Sequence, residues 1–169
     1  MAIKTSIKLQ SRLLQSGALV ATLKGVVSRT ALGIEREAKL RVKGGAKTGR
    51  VYRRSSIKKV VGAKRAGEFG QLGLRQSRIK PGAFVVGYNI HRASAPGESP
   101  ADDTGFLANS IRATTARVVR GGVRAEVRVG ASYGRRLEEE MNRPYLKPAV
   151  EKERPRFVAE VSAAIGGLI

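Results

Sequence analysis

The longest regular pattern of apolar residues lies in the first quarter of the chain and predicts one amphipathic helix. From about Leu13 to Val42, apolar side chains recur at intervals of three and four residues, which is the spacing of one helical face. The stripe consists of Val20, Leu23, Val27, Thr30, Ile34 and Ala38. Glycines within it each weaken the helix by about 1 kcal/mol relative to Ala, so we expect packing against another element to hold it. The glycines of KGGAK predict its end.

Strict alternation after the middle of the chain predicts a β-hairpin. Apolar and charged residues alternate along one strand, in the order Val123, Arg124, Ala125, Glu126, Val127, Arg128 and Val129. The dipeptide Gly121-Gly122 is typical of a two-residue hairpin turn. With the turn there, Ala116 and Val118 join the valine face, and Arg117 lies opposite Glu126 as a favourable cross-strand pair.

Two further helices are predicted in the second half of the chain. In DDTGFLANSI, Asp103 suits an N-cap because its charge complements the positive end of a helix. Apolar residues follow it at helical spacing, namely Phe106, Leu107 and Ile111. A last helix follows the corner segment MNRPYLKPAV and carries Leu146, Val150, Phe157, Val161 and Ile165 on one face. Pro155 lies within that helix and is expected to kink or split it.

The segment from Ser55 to Ile90 is glycine-rich and basic, with two strand-like pieces, IKKVV and AFVVGYNI. We interpret it as an extended β-hairpin or arm inserted into a single domain of residues 1–169. The predicted fold class is therefore α+β, in which a small antiparallel sheet packs with a long N-terminal helix and a C-terminal helix.

Charge narrows the possible partners. The chain has 33 Lys and Arg against 13 Asp and Glu, a net charge of +20, which indicates an acidic partner such as nucleic acid or an oppositely charged protein. Residues 1–60 carry most of the excess. The chain has no cysteine, which excludes disulfides and thiolate sites and makes a reducing compartment the simplest setting. We find no secretory signal and expect no membrane span.

Four motifs resemble catalytic or ligand sites, and each has a simpler interpretation. Asp-Thr-Gly surrounds the catalytic aspartate of aspartic proteases, but here GESPAD precedes it rather than an apolar strand, which favours helix capping. His91 could act as a general base, but no cysteine or partnered serine motif accompanies it. GAKTG follows a helix and lacks P-loop spacing. Glu138–Glu140 could bind a metal, but three consecutive residues on a helix point in different directions, which favours a solvated or interface face. We therefore predict no catalytic, cofactor or metal site.

Several segments together resemble a known family. KTGRVYRR, the connector HRASAPGESPADDTGFLANSI at residues 91–111, the valine hairpin and RPYLKPAV occur in the order typical of the tail-completion (head-tail joining, neck) proteins of tailed bacteriophages. In that family a long helix is followed by TGRxY, by ASAPGExPAxDTGxLxxSI, by a hairpin and by an RP[FY]LxPA corner. The connector and the corner are the specific parts of the match, which covers most of the chain.

The resemblance implies a non-enzymatic α+β subunit of a homo-oligomeric ring, a hexamer, located in the virion neck and in host cytoplasm during assembly. Its implied partners are connector or stopper proteins, tail terminator or tail tube proteins, and packaged DNA in the lumen; a cofactor and a membrane are not implied. The implied assembly residues are Arg50, Tyr52, Arg53, Arg54, His91, Arg92, Tyr133, Arg143 and Tyr145. The implied structural residues are Pro96, Gly97, Asp103, Thr104, Gly105, Pro144, Leu146 and Pro148.

Two departures from the family pattern affect what can be transferred. Residues 55–90 replace a short link, so the contacts of the enlarged arm do not follow from relatives. YGRRLEEEMN stands where the family has a Gly-Thr turn before the corner.

Two alternatives remain open. Within the neck, the chain could instead be a tail terminator or stopper ring. In another class, a basic nucleic-acid-binding protein of ribosomal type would use the positive charge on RNA phosphates and would bind free nucleic acid in a salt-sensitive way.

Overall fold

The computed structural model describes residues 4–10, 17–44, 47–59, 84–120 and 122–166, with the backbone alone for 4–10, 54–59 and 84–89. The chain divides into two compact units. The main unit contains Met1–Lys47 and Ser94–Ile169, and the hairpin unit contains Thr48–Ala93. The α+β class is confirmed, including both long helices, the small antiparallel sheets and the hairpin.

The elements of the main unit follow the order β1, α1, α2, β4, β5, β6 and α3. Their bounds are Lys4–Gln10 for β1, Gly17–Lys43 for α1, Phe106–Ser110 for α2, Ile111–Ala113 for β4, Arg117–Val119 for β5, Gly122–Val129 for β6 and Leu146–Gly166 for α3. One π-helical segment, Arg136–Glu140, precedes α3. The hairpin unit contains the antiparallel strands β2, Val51–Lys59, and β3, Phe84–Arg92.

The core lies between α1 and one face of the four-stranded sheet. β6 is the central strand, with β1 on one side and both β4 and β5 on the other. The valines and alanine that alternate along β6 are buried, as predicted. α1 contributes the buried stripe Leu19, Leu23, Val26, Val27, Thr30, Ala31, Ile34, Ala38 and Val42. Val20 is half-buried, and Leu19 takes the core position at that turn. The predicted helix residues before Gly17 lie outside the described residues.

The predicted hairpin register is wrong because the turn lies one residue earlier than predicted, and the edge strand also contains an extra residue. β4 pairs Ala113 with Val127, whereas β5 pairs Arg117 with Arg124, so four steps on one strand oppose three on β6. One extra residue on one strand is the definition of a β-bulge. Val119 pairs with Gly122, which places the turn one residue earlier than predicted.

The two residues predicted to join the valine face differ in burial. Ala116 is buried as predicted, and its N–H donates to Ser28 Oγ of α1 at 3.0 Å. Val118 is 56% exposed although its partner Val123 is buried. β1 was not predicted, although polar and apolar residues alternate through KTSIKLQ, the pattern of a half-buried strand.

α3 is continuous through Pro155, so the predicted split does not occur. Pro155 is exposed, and the carbonyl that loses its helical donor can be hydrated there. Two ion pairs join α3 to α1: Glu160 Oε2 lies 2.9 Å from Arg29 Nη2, and Glu37 Oε2 lies 2.7 Å from Lys152 Nζ.

By length and composition, α1 could cross a membrane, and it is the one described helix with that property. Its apolar stripe packs against the sheet, with nine buried residues along one face. We therefore interpret α1 as the core helix of the main unit.

Candidate functional site

The connector contains a stiff turn built from Ala95, Pro96, Gly97 and Glu98. The N–H of Glu98 donates to the carbonyl of Ala95 at 3.1 Å, and Gly97 has φ +87°. A proline at the second position and a positive-φ glycine at the third are the requirements of a type II turn. The Glu98 carboxylate also accepts from the N–H of Ala95 at 2.8 Å, which closes the turn from the other side.

This turn lies directly against the corner. The N–H of Gly97 donates to the carbonyl of Asn142 at 2.6 Å, and Asn142 itself has φ +48°. On its other side, Lys47 Nζ donates to the carbonyl of Ser99 at 2.7 Å. Burial lowers the pKa of Lys47, while the nearby Glu98 carboxylate opposes that shift. The connector is therefore held by hydrogen bonds to the corner and to the segment that follows α1.

The Asp-Thr-Gly sequence starts α2, but Asp103 does not cap it as predicted. Gly105, with φ +77°, occupies the N-cap position, and α2 has no side-chain cap. Asp102 Oδ1 accepts from the N–H of Gly105 at 2.8 Å, so the neighbouring aspartate orders this loop. Thr104 Oγ1 accepts from the N–H of Phe106 at 3.4 Å. The N-cap position moves from residue 103 to residue 105 because α2 begins two residues later than predicted.

The end of α2 and its apolar face also differ from the prediction. Ile111 is buried but begins β4 rather than extending the helix. Phe106 is 57% exposed, and its ring centroid lies 6.3 Å from that of Tyr133. Tyr133, an implied assembly residue, is 43% exposed. Partial burial and the charge of Asp102 raise the pKa of the Tyr133 phenol. Phe106 and Tyr133 thus form an exposed aromatic pair.

At the corner, Tyr145 is a core residue, which corrects its assignment as an assembly contact. Its side chain is fully buried, and burial raises the pKa of its phenol. Arg143 is half-buried, and its N–H donates to the carbonyl of Leu137 at 2.9 Å. Leu146 is buried in the core, Pro144 is half-buried, and Pro148 lies in the first turn of α3, where a proline costs no helical hydrogen bond.

Sequence reasoning missed the role of Glu138, which caps α3. Its carboxylate accepts hydrogen bonds from the N–H groups of three consecutive residues at the start of that helix, at 2.8 to 3.0 Å: Tyr145, Leu146 and Lys147. Glu139 and Glu140 instead pair with Arg135 and Arg136. The glutamate run therefore has one structural and two surface positions. Among the described residues, no group of three His, Cys, Asp or Glu side chains lies close enough to hold a metal ion.

The base of the hairpin unit brings together several implied assembly residues. The N–H of Gly49 donates to the carbonyl of Ala93 at 3.0 Å, and the N–H of Ala93 donates to that of Arg50 at 2.9 Å. Tyr52 pairs with His91 across the strands, and the Arg50 guanidinium lies 5.5 Å from the Tyr52 ring centroid.

The side chains at this base are largely exposed. Arg50, Arg53 and Arg92 are exposed, Tyr52 is 49% exposed, and His91 is half-buried. Arg54 lies on β2 opposite Asn89, and its side chain is outside the described residues. The apolar residues here are exposed too, with Ile90 at 73%.

The hairpin unit has half of the net charge of the protein. It contains 11 Lys and Arg against one acid, which gives ten of the twenty excess positive charges in 46 residues. The part of the predicted arm at residues 60–83 lies outside the described residues.

No protein-family model, curated protein or solved structure matches this chain. The proposed function therefore rests on the geometry of this chain's own residues.

Proposed function

We propose that this chain is a structural subunit of the neck of a tailed bacteriophage, where it forms a ring that joins the capsid connector to the tail. The observation that supports it best is the hydrogen bond between Gly97 and Asn142, 2.6 Å long. The two segments most specific to the neck family, the connector and the corner, lie against each other in this chain. Residues that form one structural feature are expected to occur together in a family, whereas a chance match would scatter them.

The proposed mechanism is assembly by shape and charge. The stiff turn and the capped corner give the main unit a rigid surface on which neighbouring subunits can dock without ordering costs. The exposed pair Phe106 and Tyr133 offers aromatic area, which interfaces favour. The basic hairpin unit would contact a neighbouring subunit, an adjacent ring or packaged DNA. A subunit that offers one patch and receives another forms a closed ring.

Mass measurement and negative-stain electron microscopy of the purified full chain test the proposal. We expect rings with a central hole, of six times the 18.1 kDa of one chain, alone or on addition of a connector or tail-tube assembly. A protein that stays monomeric under both conditions contradicts the proposal. A ring that binds only the tail-tube end would instead support a tail terminator, and one that binds only the connector would support a stopper.

The second candidate, a basic nucleic-acid-binding protein, is favoured by the charge of the hairpin unit. It predicts a monomer that binds RNA tightly at physiological salt. The neck proposal predicts weak binding of free nucleic acid, in the range of about 10⁻⁴ to 10⁻⁶ M typical of non-specific contacts.

A further inference from the structure

The outer face of the four-stranded sheet, opposite the core, brings together arginines that are separate in sequence. The register pairs Arg112 of β4 with Arg128 of β6, and Arg117 of β5 with Arg124 of β6. The bulge between β4 and β5 makes this possible, because it shifts the pairing so that both edge arginines lie opposite arginines of β6. We call these four residues the arginine face.

One carboxylate, that of Glu126, interacts with three of the four arginines. Glu126 lies between Arg124 and Arg128 on β6, with Arg124 Nη2 2.9 Å from Oε1 and Arg128 Nη2 2.5 Å from Oε2. A hydrogen bond from Arg128, followed by the charges of Arg124 and Arg117, lowers the pKa of Glu126. The carboxylate therefore stays ionised, and the arginine face keeps a net charge of three positive units. The register also places Lys4 and Lys8 of β1 opposite Arg128 and Arg124.

This arrangement is unfavourable in the free protein. Like charges directly opposite each other on neighbouring strands destabilise a sheet, and the arginine face has two such pairs. Glu126 is buried, and its single charge is shared among Arg128, Arg124 and Arg117, so it cannot neutralise all of them. The exposed Arg112 interacts instead with the Glu35 carboxylate of α1. A bound polyanion would remove the repulsion, which makes anion binding at this face energetically coupled to folding.

The shape and chemistry of the face favour phosphate over an acidic protein. Thr114 and Thr115 line a recess of about 200 Å³ together with Arg117, Arg124, Glu126 and Arg128. Guanidinium groups and threonine hydroxyls are the side chains that contact phosphate oxygens in nucleic-acid complexes. Protein interfaces are instead centred on buried apolar or aromatic anchors. None of the residues that line this recess is apolar or aromatic.

We propose that the arginine face binds the phosphate backbone of nucleic acid without reading its sequence. All four residues of the face belong to the main unit. The helix α1 packs on the opposite, core side of the sheet, and Arg112 and Arg117 on this face are exposed. Phosphate binding at this face is a property of the single chain and does not depend on the neck function. In a neck ring, this face would be the one turned toward the passing DNA.

The test measures binding of a fluorescent mixed-sequence DNA duplex to the full chain by anisotropy, between about 50 and 200 mM salt. The test variant is Arg112→Gln with Arg117→Gln. The control is Arg36→Gln with Arg154→Gln, which removes the same charge from exposed positions on α1 and α3. We expect the slope of log affinity against log salt to fall by about 1.8 in the test variant, since each phosphate contact contributes about 0.9, and to change little in the control.

Two results would overturn the proposal. One is an equal loss of slope in both variants, which would indicate general electrostatic attraction. The other is binding of polyglutamate as tight as that of DNA and with the same dependence on Arg112 and Arg117, which would indicate an acidic protein partner.

A measurement on the unsubstituted protein keeps the test valid if the variant does not fold. Arginine-specific chemical modification is followed by peptide mass analysis with and without DNA. We expect DNA to protect Arg112, Arg117 and Arg128 several-fold more than Arg36 and Arg154. Equal protection at both sets would also overturn the proposal.

Discussion

Removing the Glu138 carboxylate tests how the corner is held. In the folded chain it accepts three hydrogen bonds from backbone N–H groups at the start of α3, and those of Tyr145 and Leu146 are part-buried. We consider Glu138→Ala, which removes the acceptor, and Glu138→Gln, which keeps one oxygen and removes the charge. Glu140→Ala is the matched control, because Glu140 makes a 3.6 Å ion pair with Arg136 in which both side chains are about 70% exposed.

The expected loss follows from three effects. Loss of an N-cap acceptor costs about 1 kcal/mol, loss of a negative charge at a helix N-terminus costs about 0.3–1 kcal/mol, and a part-buried N–H left without a partner adds about 1 kcal/mol. For Glu138→Ala we therefore expect unfolding free energy to fall by about 2–3 kcal/mol, and for Glu138→Gln by about 1 kcal/mol. Glu140→Ala should stay within about 0.5 kcal/mol of the unsubstituted protein.

Chemical and thermal denaturation followed by far-ultraviolet circular dichroism measures these changes. For a chain of this length, the Glu138→Ala loss corresponds to a decrease in Tm of about 4–12 °C. A Glu138→Ala loss no larger than that of Glu140→Ala would refute the capping argument. It would mean that water satisfies the three N–H groups as well as the carboxylate does.

Three further predictions concern packing, acid stability and the hairpin unit. Gly134→Ala should destabilise the fold by about 1–3 kcal/mol, because its Cβ would lie 2.8 Å from the phenol oxygen of the buried Tyr145. Gly130→Ala, whose Cβ would lie 3.7 Å from its nearest neighbour, should lose less unfolding free energy in the same denaturation assay. The Lys152 hydrogen bond lowers the pKa of Glu37 in the folded state below 4.5. The contribution of Glu37 to stability is therefore fully present above that pH and is lost as the pH falls through the folded-state pKa. In thermal melts from pH 5 to 3, the Tm of Glu37→Gln should decline less than that of the unsubstituted protein. Deletion of residues 55–90 should preserve cooperative unfolding but abolish ring assembly, and loss of cooperativity would show that the arm belongs to the core.

The elements predicted correctly are those whose pattern is local and long. α1 and α3 repeat their apolar residues over five or more turns, and β6 alternates over eight residues. α1 and β6 bury one whole face, whereas α3 buries Leu146 and Ala149 in its first turn. β1 has the same alternating signal over seven residues, but its strand character depends on pairing with β6.

The features that were predicted wrongly depend on single hydrogen bonds or on one inserted residue. A turn placed one residue earlier moves the β5–β6 register, and a bulge then shifts the pairing of β4 with β6. Asp102 and Asp103 are adjacent and chemically equivalent as caps, so only the position of Gly105 decides which carboxylate faces the loop. Tyr145 was predicted to be a contact residue, but its side chain is fully buried, and its N–H donates to Glu138.

The net charge of a sequence segment does not predict the charge of the surface that the segment forms. Residues 102–169 are almost balanced, with 12 Lys and Arg against nine acids. Two of these acids are engaged elsewhere, since Glu138 faces the amides of α3 and Glu160 bridges to Arg29 on α1. On the outer face itself, Glu126 is buried between two arginines. A carboxylate held against a helix end cannot screen a guanidinium on the far side of the sheet, since solvent screens exposed charges beyond about 8–10 Å. The outer face of the sheet is therefore strongly positive although its sequence segment is nearly neutral, and its attraction for phosphate has to be measured there rather than inferred from the net charge of +20.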